Sequence, residues 1–109
     1  WPVHSLNAND CAVLRLVLTG KWYDMIASGH KSEEYRDLSD YWRTRLDNWL
    51  RRPGVHVVAF SRGYRKADLF LLCHSCDPSW RRIRPEWGEP PGPHFVICFG
   101  ERIELEGWR

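Results

Sequence analysis

The sequence predicts an α+β domain, a small curved or closed mixed sheet with two helices packed on it, and three observations carry that expectation. Apolar runs of strand length recur at 11–19, 55–60, 68–76 and 94–105. Two stretches of helical period stand between the first run and the second. No helical stretch separates the later runs, which excludes a doubly wound sheet, because that fold needs helices between its later strands. With 109 residues, no repeat and no linker, the chain is long enough for one hydrophobic core and too short for two.

The elements follow in order. Residues 1–10 show no period, and Asn7-Ala8-Asn9-Asp10 is turn chemistry, so they read as a lead-in to a single domain over 11–109. The run CAVLRLVLT at 11–19 is nearly continuous in apolar residues, which predicts a strand buried on both faces. Arg15 interrupts it, either snorkelling from a strand end to water or a carboxylate, or pointing into a polar cavity. The segment 20–29 places Trp22, Tyr23, Met25 and Ile26 at helical offsets, and Gly29 supplies the left-handed residue that ends a helix. Ser39-Asp40 caps a second helix with its apolar stripe on Tyr41, Trp42, Leu46, Trp49 and Leu50, stopped by Pro53-Gly54. The final run, 94–105, reads as one strand bent at Gly100 or as two strands.

Between the helices lies the densest charge in the chain, Gly29-His30-Lys31-Ser32-Glu33-Glu34-Tyr35-Arg36. In an extended strand Lys31, Glu33 and Tyr35 share one side, and Ser32, Glu34 and Arg36 the other. A strand charged on both faces lies at a sheet edge or turns one charged set towards a polar cavity. Lys31 and Glu34 fall on opposite faces, so joint action requires a bulge or a bend at Gly29. A salt-bridged strand end that only fixes the sheet has the same composition.

Charge and composition bound the partners. Sixteen Lys+Arg against 14 Asp+Glu leave a net charge of +2, which excludes an indiscriminate polycation, so any nucleic-acid contact requires a local basic patch. One candidate is the second helix, whose outer face carries Arg43, Arg45, Arg51 and Arg52, although a solvated helix face looks the same. Another is the turn Ser61-Arg62-Gly63-Tyr64-Arg65-Lys66, where Arg62, Tyr64 and Lys66 interleave cations with an aromatic ring. The third is the stretch 80–93, an irregular loop in which Trp80, Arg81, Arg82, Arg84 and Trp87 form a stacking and phosphate-binding lip, unless Trp87 plugs the core.

The four cysteines stand at 11, 73, 76 and 98. Cys73-His74-Ser75-Cys76 is half of a zinc pattern, with His74 and His94 nearby, but the second half is missing and a structural role for the thiols is expected. No metal and no cofactor is therefore assigned. No run reaches the roughly 18–20 apolar residues that span a bilayer and no signal-peptide pattern opens the chain, so the expectation is a cytoplasmic protein without a membrane partner.

Gly29, Lys31, Glu34 and Arg36 match the pattern G-x-K-x-x-E-x-R, and on these residues the chain resembles the ASCH domain of the PUA-like superfamily. The resemblance extends through Leu14-Arg15-Leu16, Trp22, Ile26, Phe60 to Tyr64 and Pro85-Glu86-Trp87-Gly88, roughly residues 12–105. It implies a small mixed β-barrel with two helices at its mouth and a cleft that holds RNA or an everted modified base. Some ASCH-like proteins are amidohydrolases that remove the acetyl group of acetylcytidine, with the lysine as nucleophile or base and a threonine three residues on. Here that position holds Glu34. Another is described as a ribonuclease, in which case Lys31 and Arg36 stabilise charge on the phosphate while Glu34 accepts the 2′-hydroxyl proton.

Two functional expectations result. One is a hydrolase acting on RNA or on a modified nucleoside, with Lys31, Glu34 and Arg36 as catalytic residues. The other is a non-catalytic module that binds RNA or a modified base through Arg43, Arg62, Lys66, Arg81 and Arg82, with stacking on Tyr64 or Trp87.

Overall fold

A computed structural model describes residues 4–78 and 83–108. These residues form a six-stranded mixed sheet and two α-helices. The order is β1 (His4–Asn7), β2 (Cys11–Leu18), α1 (Gly20–Ala27), β3 (Glu33–Asp37), α2 (Asp40–Arg51), β4 (Val55–Arg62), β5 (Leu69–Pro78) and β6 (His94–Glu106). Short 3-10 turns, Ala8–Asp10 and Pro85–Trp87, precede β2 and β6.

The sheet path is β1-β6-β5-β4-β2, with β3 also paired to β6. The 13-residue β6 is the organising strand. Its first half pairs antiparallel with β3 (Glu33 opposite Cys98, Asp37 opposite His94), and its second half pairs in parallel with β1 (His4 opposite Ile103). β5 takes its other side, through register shifts between Leu71 and Ser75. At the far end β2 pairs in parallel with β4 along its whole length, Cys11 opposite Val55 to Leu18 opposite Arg62. The sheet is not closed. It nevertheless curls until its ends face each other, because Val17 and Leu18 of β2 and Glu34 to Asp37 of β3 line one cleft without a ladder between them.

Sequence reasoning needs correction at three places. Residues 4–7, expected in the lead-in, form edge strand β1. Their side chains are mostly exposed, so the strand is held by its backbone ladder and shows no apolar period. β2 is not buried on both faces: Leu14, Leu16 and Leu18 are buried, whereas Arg15 and Val17 are exposed, as befits the last strand of the path. Arg15 points into neither cavity nor carboxylate, and its Nη2 donates to the Arg65 carbonyl at 2.7 Å. The stripe of α2 is narrower than expected, with Leu46 and Trp49 buried but Tyr41 and Leu50 exposed.

The main core lies between the sheet and the helices, built from Leu14, Leu16 and Leu18, Ile26, Leu46 and Trp49, Phe60, Leu69, Ile97 and Phe99. Burying each such side chain contributes about 1.5–3 kcal/mol. Ser39 caps α2 by accepting from the Trp42 amide at 3.2 Å, as expected. Trp49 fixes the helix on β2, its Nε1 donating to the Ala12 carbonyl at 2.9 Å. A smaller apolar layer of Cys11, Val57, Ile103 and Leu105 covers the sheet's other face.

Candidate functional site

The bend that joint action of Lys31 and Glu34 requires is present. Gly29 has φ +83°, a left-handed conformation favouring glycine, and the amides of His30 and Lys31 both donate to the Met25 carbonyl, at 2.9 and 3.1 Å. The chain thus wraps under the end of α1, and β3 begins only at Glu33. Lys31 precedes the pleat, so face alternation does not separate it from Glu34. Its Nζ lies 3.0 Å from Glu34 Oε1, 4.3 Å from the Trp22 ring centre and 5.4 Å from that of Tyr35.

Glu34 is shared further. Its Oε1 accepts from the Tyr35 amide at 3.1 Å, and its Oε2 lies 3.6 Å from Arg36 Nη1. Arg36 Nη1 donates to the Tyr35 carbonyl at 3.0 Å, and the guanidinium stands 5.0 Å over the Trp42 ring. Arg36 Nε is buried without a hydrogen-bond partner among the described residues. Burial pushes Lys31 below the ordinary lysine range while the Glu34 carboxylate pulls against it. Burial also lowers Arg36, again opposed by Glu34.

Behind this trio stands a second buried set that sequence reasoning missed. The Tyr35 hydroxyl donates to Glu33 Oε1 at 3.0 Å, and Arg84 Nη1 lies 3.6 Å from the same oxygen. Glu89 Oε1 accepts from the Arg84 amide at 2.8 Å, and its Oε2 meets His94 Nε2 at 2.7 Å. His94 Nδ1 donates to the Gly92 carbonyl at 2.5 Å, and its ring meets Tyr35 edge-on. Glu33 and Tyr35 could be found as members of the Lys31 side of the strand. For Glu89 and His94, inside a proline-rich stretch, nothing local signals burial.

Two concavities flank the Lys31–Glu34 pair. The smaller, about 310 Å³, is the cleft between the sheet ends, lined by Glu34, Tyr35, Arg36, Trp22 and Trp87 among others. The larger, about 650 Å³, is lined by Lys31, the end of α1, β5 and β6. The three expected catalytic residues are therefore in contact but not in one concavity, with Lys31 on one side and Glu34 and Arg36 on the other.

The expected RNA contacts divide similarly. Trp87 lines the cleft, with the Arg84 guanidinium 4.6 Å from its ring centre. Gly88, at φ +79°, lies so close to Trp22 that a Cβ there would come within 2.7 Å of its ring. Arg43 is exposed, 5.7 Å from the Phe95 ring centre. Arg62 is held by Asp24 at 3.2 and 3.4 Å. Tyr64 and Lys66 are exposed and line neither concavity. Trp80, Arg81 and Arg82 lie outside the described residues.

None of the four cysteines is in a disulfide, and no group of three or more His, Cys, Asp or Glu side chains that could hold a metal comes together among the described residues. Burial pushes the Cys73 thiol up to about 11 and the Cys76 thiol up to about 12, the reverse of the depression that activates a redox C-x-x-C. No helix among the described residues is long and apolar enough to cross a membrane. No family model, no curated protein and no solved structure matches the chain.

Proposed function

We propose that the cleft between the sheet ends binds a single base of RNA or a modified nucleoside, and that the chain is an ASCH-like module of the PUA-like kind, its open sheet being a barrel parted along that cleft. The observation that carries this reading is the Arg36 Nε, a buried donor in the cleft wall with no acceptor among the described residues. Such a group costs about 1–3 kcal/mol unless a ligand satisfies it. Glu34 lines the same cleft beside the Arg36 guanidinium, so a donor group and an acceptor group stand side by side along it. That pairing complements the edge of a nucleobase, where a carbonyl oxygen adjoins an N–H. Trp22 and Trp87 add aromatic surface of the kind on which an unstacked base rests. The cleft volume of about 310 Å³ is at the small end of ligand sites, which suits one base rather than a helix.

Binding of acetylcytidine, cytidine and labelled single-stranded RNA by calorimetry and fluorescence anisotropy tests it. Arg36→Met is expected to weaken binding about 10- to 100-fold, the worth of a charge-assisted hydrogen bond. Trp87→Ala, on a half-exposed side chain, is expected to weaken it by about 5-fold or more through lost stacking. Binding unchanged in both variants overturns the proposal.

Hydrolysis is the second reading, favoured by the lowered Lys31 against Glu34. On acetylcytidine, Glu34 would take a proton from water as the water oxygen bonds to the acyl carbon. The C–N bond then breaks and the cytosine amine leaves with the returned proton. Lys31 lies behind Glu34 rather than in the cleft, so it acts on the carboxylate and not on substrate. Acetate release that is lost in Glu34→Gln supports this reading, and binding without product returns the first.

A further inference from the structure

The larger cavity has a chemistry of its own. Its floor is apolar, made by Ile26, Leu69, Leu71 and Phe99, all buried. Among the described residues its charged lining is Lys31 and Arg102, with no carboxylate. Arg102 sits opposite Leu71 in the β5–β6 ladder, so both side chains project from the same face of the sheet. Lys31 is committed to Glu34, whereas Arg102 is exposed and makes no ion pair with a carboxylate among the described residues. The nearby Asp68 carboxylate accepts instead from the Tyr23 hydroxyl, at 2.5 Å.

The end of α1 borders this cavity, and a helix C-terminus ordinarily repels anions. Here its carbonyls are largely answered within the turn. Asp24 O accepts from the Ser28 amide, Ile26 O from Gly29, and Met25 O from both His30 and Lys31. The charge left unneutralised at the cavity is accordingly that of Arg102.

We propose that this cavity is a second ligand site, for a small organic carboxylate with a compact apolar body, its carboxylate on Arg102 and its body against Ile26, Leu71 and Phe99. A guanidinium takes a carboxylate through paired N–H donors, and the apolar floor supplies the remaining affinity. The volume of about 650 Å³ accommodates an aryl or branched acyl acid together with water. This site does not depend on what the cleft binds.

Phenylacetate, benzyl alcohol and benzylamine, equal in body and different in charge, are the probes, titrated into the full chain and followed by NMR shifts of the Leu71 methyls and Phe99. Phenylacetate is expected to bind at least about 10-fold more tightly than benzylamine, with benzyl alcohol between them. Arg102→Glu is expected to reverse that order. Because Arg102 is exposed, the substitution leaves the fold in place, checked by an unchanged melting temperature. Trp87→Ala, which alters only the cleft, is expected to leave phenylacetate affinity within about 2-fold. Equal binding of the anion and the cation, an order that Arg102→Glu does not reverse, or loss of phenylacetate binding in Trp87→Ala each overturns the proposal.

Discussion

The 31–36 segment and the 62–66 turn are both short and rich in charge, each carries one tyrosine, and both stand beside a glycine of positive φ. Lys31 is 2% exposed and Tyr64 is 99% exposed. In the first region every charge is answered at close range, Lys31 by Glu34 at 3.0 Å and Glu34 again by Arg36 at 3.6 Å. In the turn, Arg65 and Lys66 are exposed, and among the described residues Arg62 alone of the three is in an ion pair, with Asp24. The difference is one of dielectric. Desolvated charges must be matched group by group, so the first region resists substitution, while the second is free to meet a polyanion.

The contrast is broken most severely at Glu34. Glu34→Gln leaves the Lys31 ammonium buried without its counter-charge, and a loss of about 3–5 kcal/mol is expected in urea denaturation. Adding Lys31→Met to that variant removes the stranded charge and is expected to recover most of the loss, since an apolar replacement of a buried pair is often neutral. A cost below about 1 kcal/mol for Glu34→Gln would mean that the pair is hydrated like a surface bridge.

Next in size is the clamp on the loop that carries Trp87. Glu89→Ala removes the acceptor of both the Arg84 amide and His94 Nε2, and about 1–3 kcal/mol should be lost. Amide exchange should quicken at Arg84 and Trp87 before it does in β6, because the loop is pinned at that point. Uniform acceleration would show instead that Glu89 supports the sheet as a whole.

How legible these regions were in the sequence depends on the range of the forces that make them. Helix α2, its Ser39 cap and the Gly29 turn were readable because capping and left-handed glycine are decided within four residues. The Lys31–Glu34 contact was readable only as a requirement, a bend at Gly29 that face alternation alone would forbid. β1 and the exposed face of β2 were not legible, since pairing with β6 and position at the end of the path are decided by distant strands. The Glu89–His94 pair was hidden for the same reason, as its burial is made by Tyr35 and the β3–β6 ladder. Nothing in the run from Lys31 to Arg36 tells that Lys31 and Glu34 line different concavities.

Titration sharpens the comparison at smaller scale. Lys31 is lowered from 10.5 in the folded chain, so between its folded value and 10.5 the unfolded chain binds the extra proton and stability rises with pH. Below that window both states are protonated and the desolvation cost is carried in full. The slope contributed by Lys31 is at most about 1.4 kcal/mol per pH unit. The difference between wild type and Lys31→Met, measured by denaturation across the alkaline range, isolates it. A difference that stays flat up to the lysine range would place the ammonium in water.

The smallest stability effects belong to the exposed side of the comparison, where affinity rather than folding is expected to respond. Arg43→Ala and Lys66→Ala each change stability by about 0.5 kcal/mol or less, since both side chains are exposed and neither is in an ion pair among the described residues. If these side chains hold RNA phosphates, each substitution lowers the slope of log affinity against log salt by about 0.7 for a single strand. Tyr64→Ala, by contrast, lowers affinity without altering that slope, because stacking releases no counterions. A salt slope unchanged in both cationic variants would remove the turn and the outer face of α2 from the interface. The cleft lined by Glu34, Arg36 and Trp87 would then have to hold any base it binds without electrostatic help from either surface.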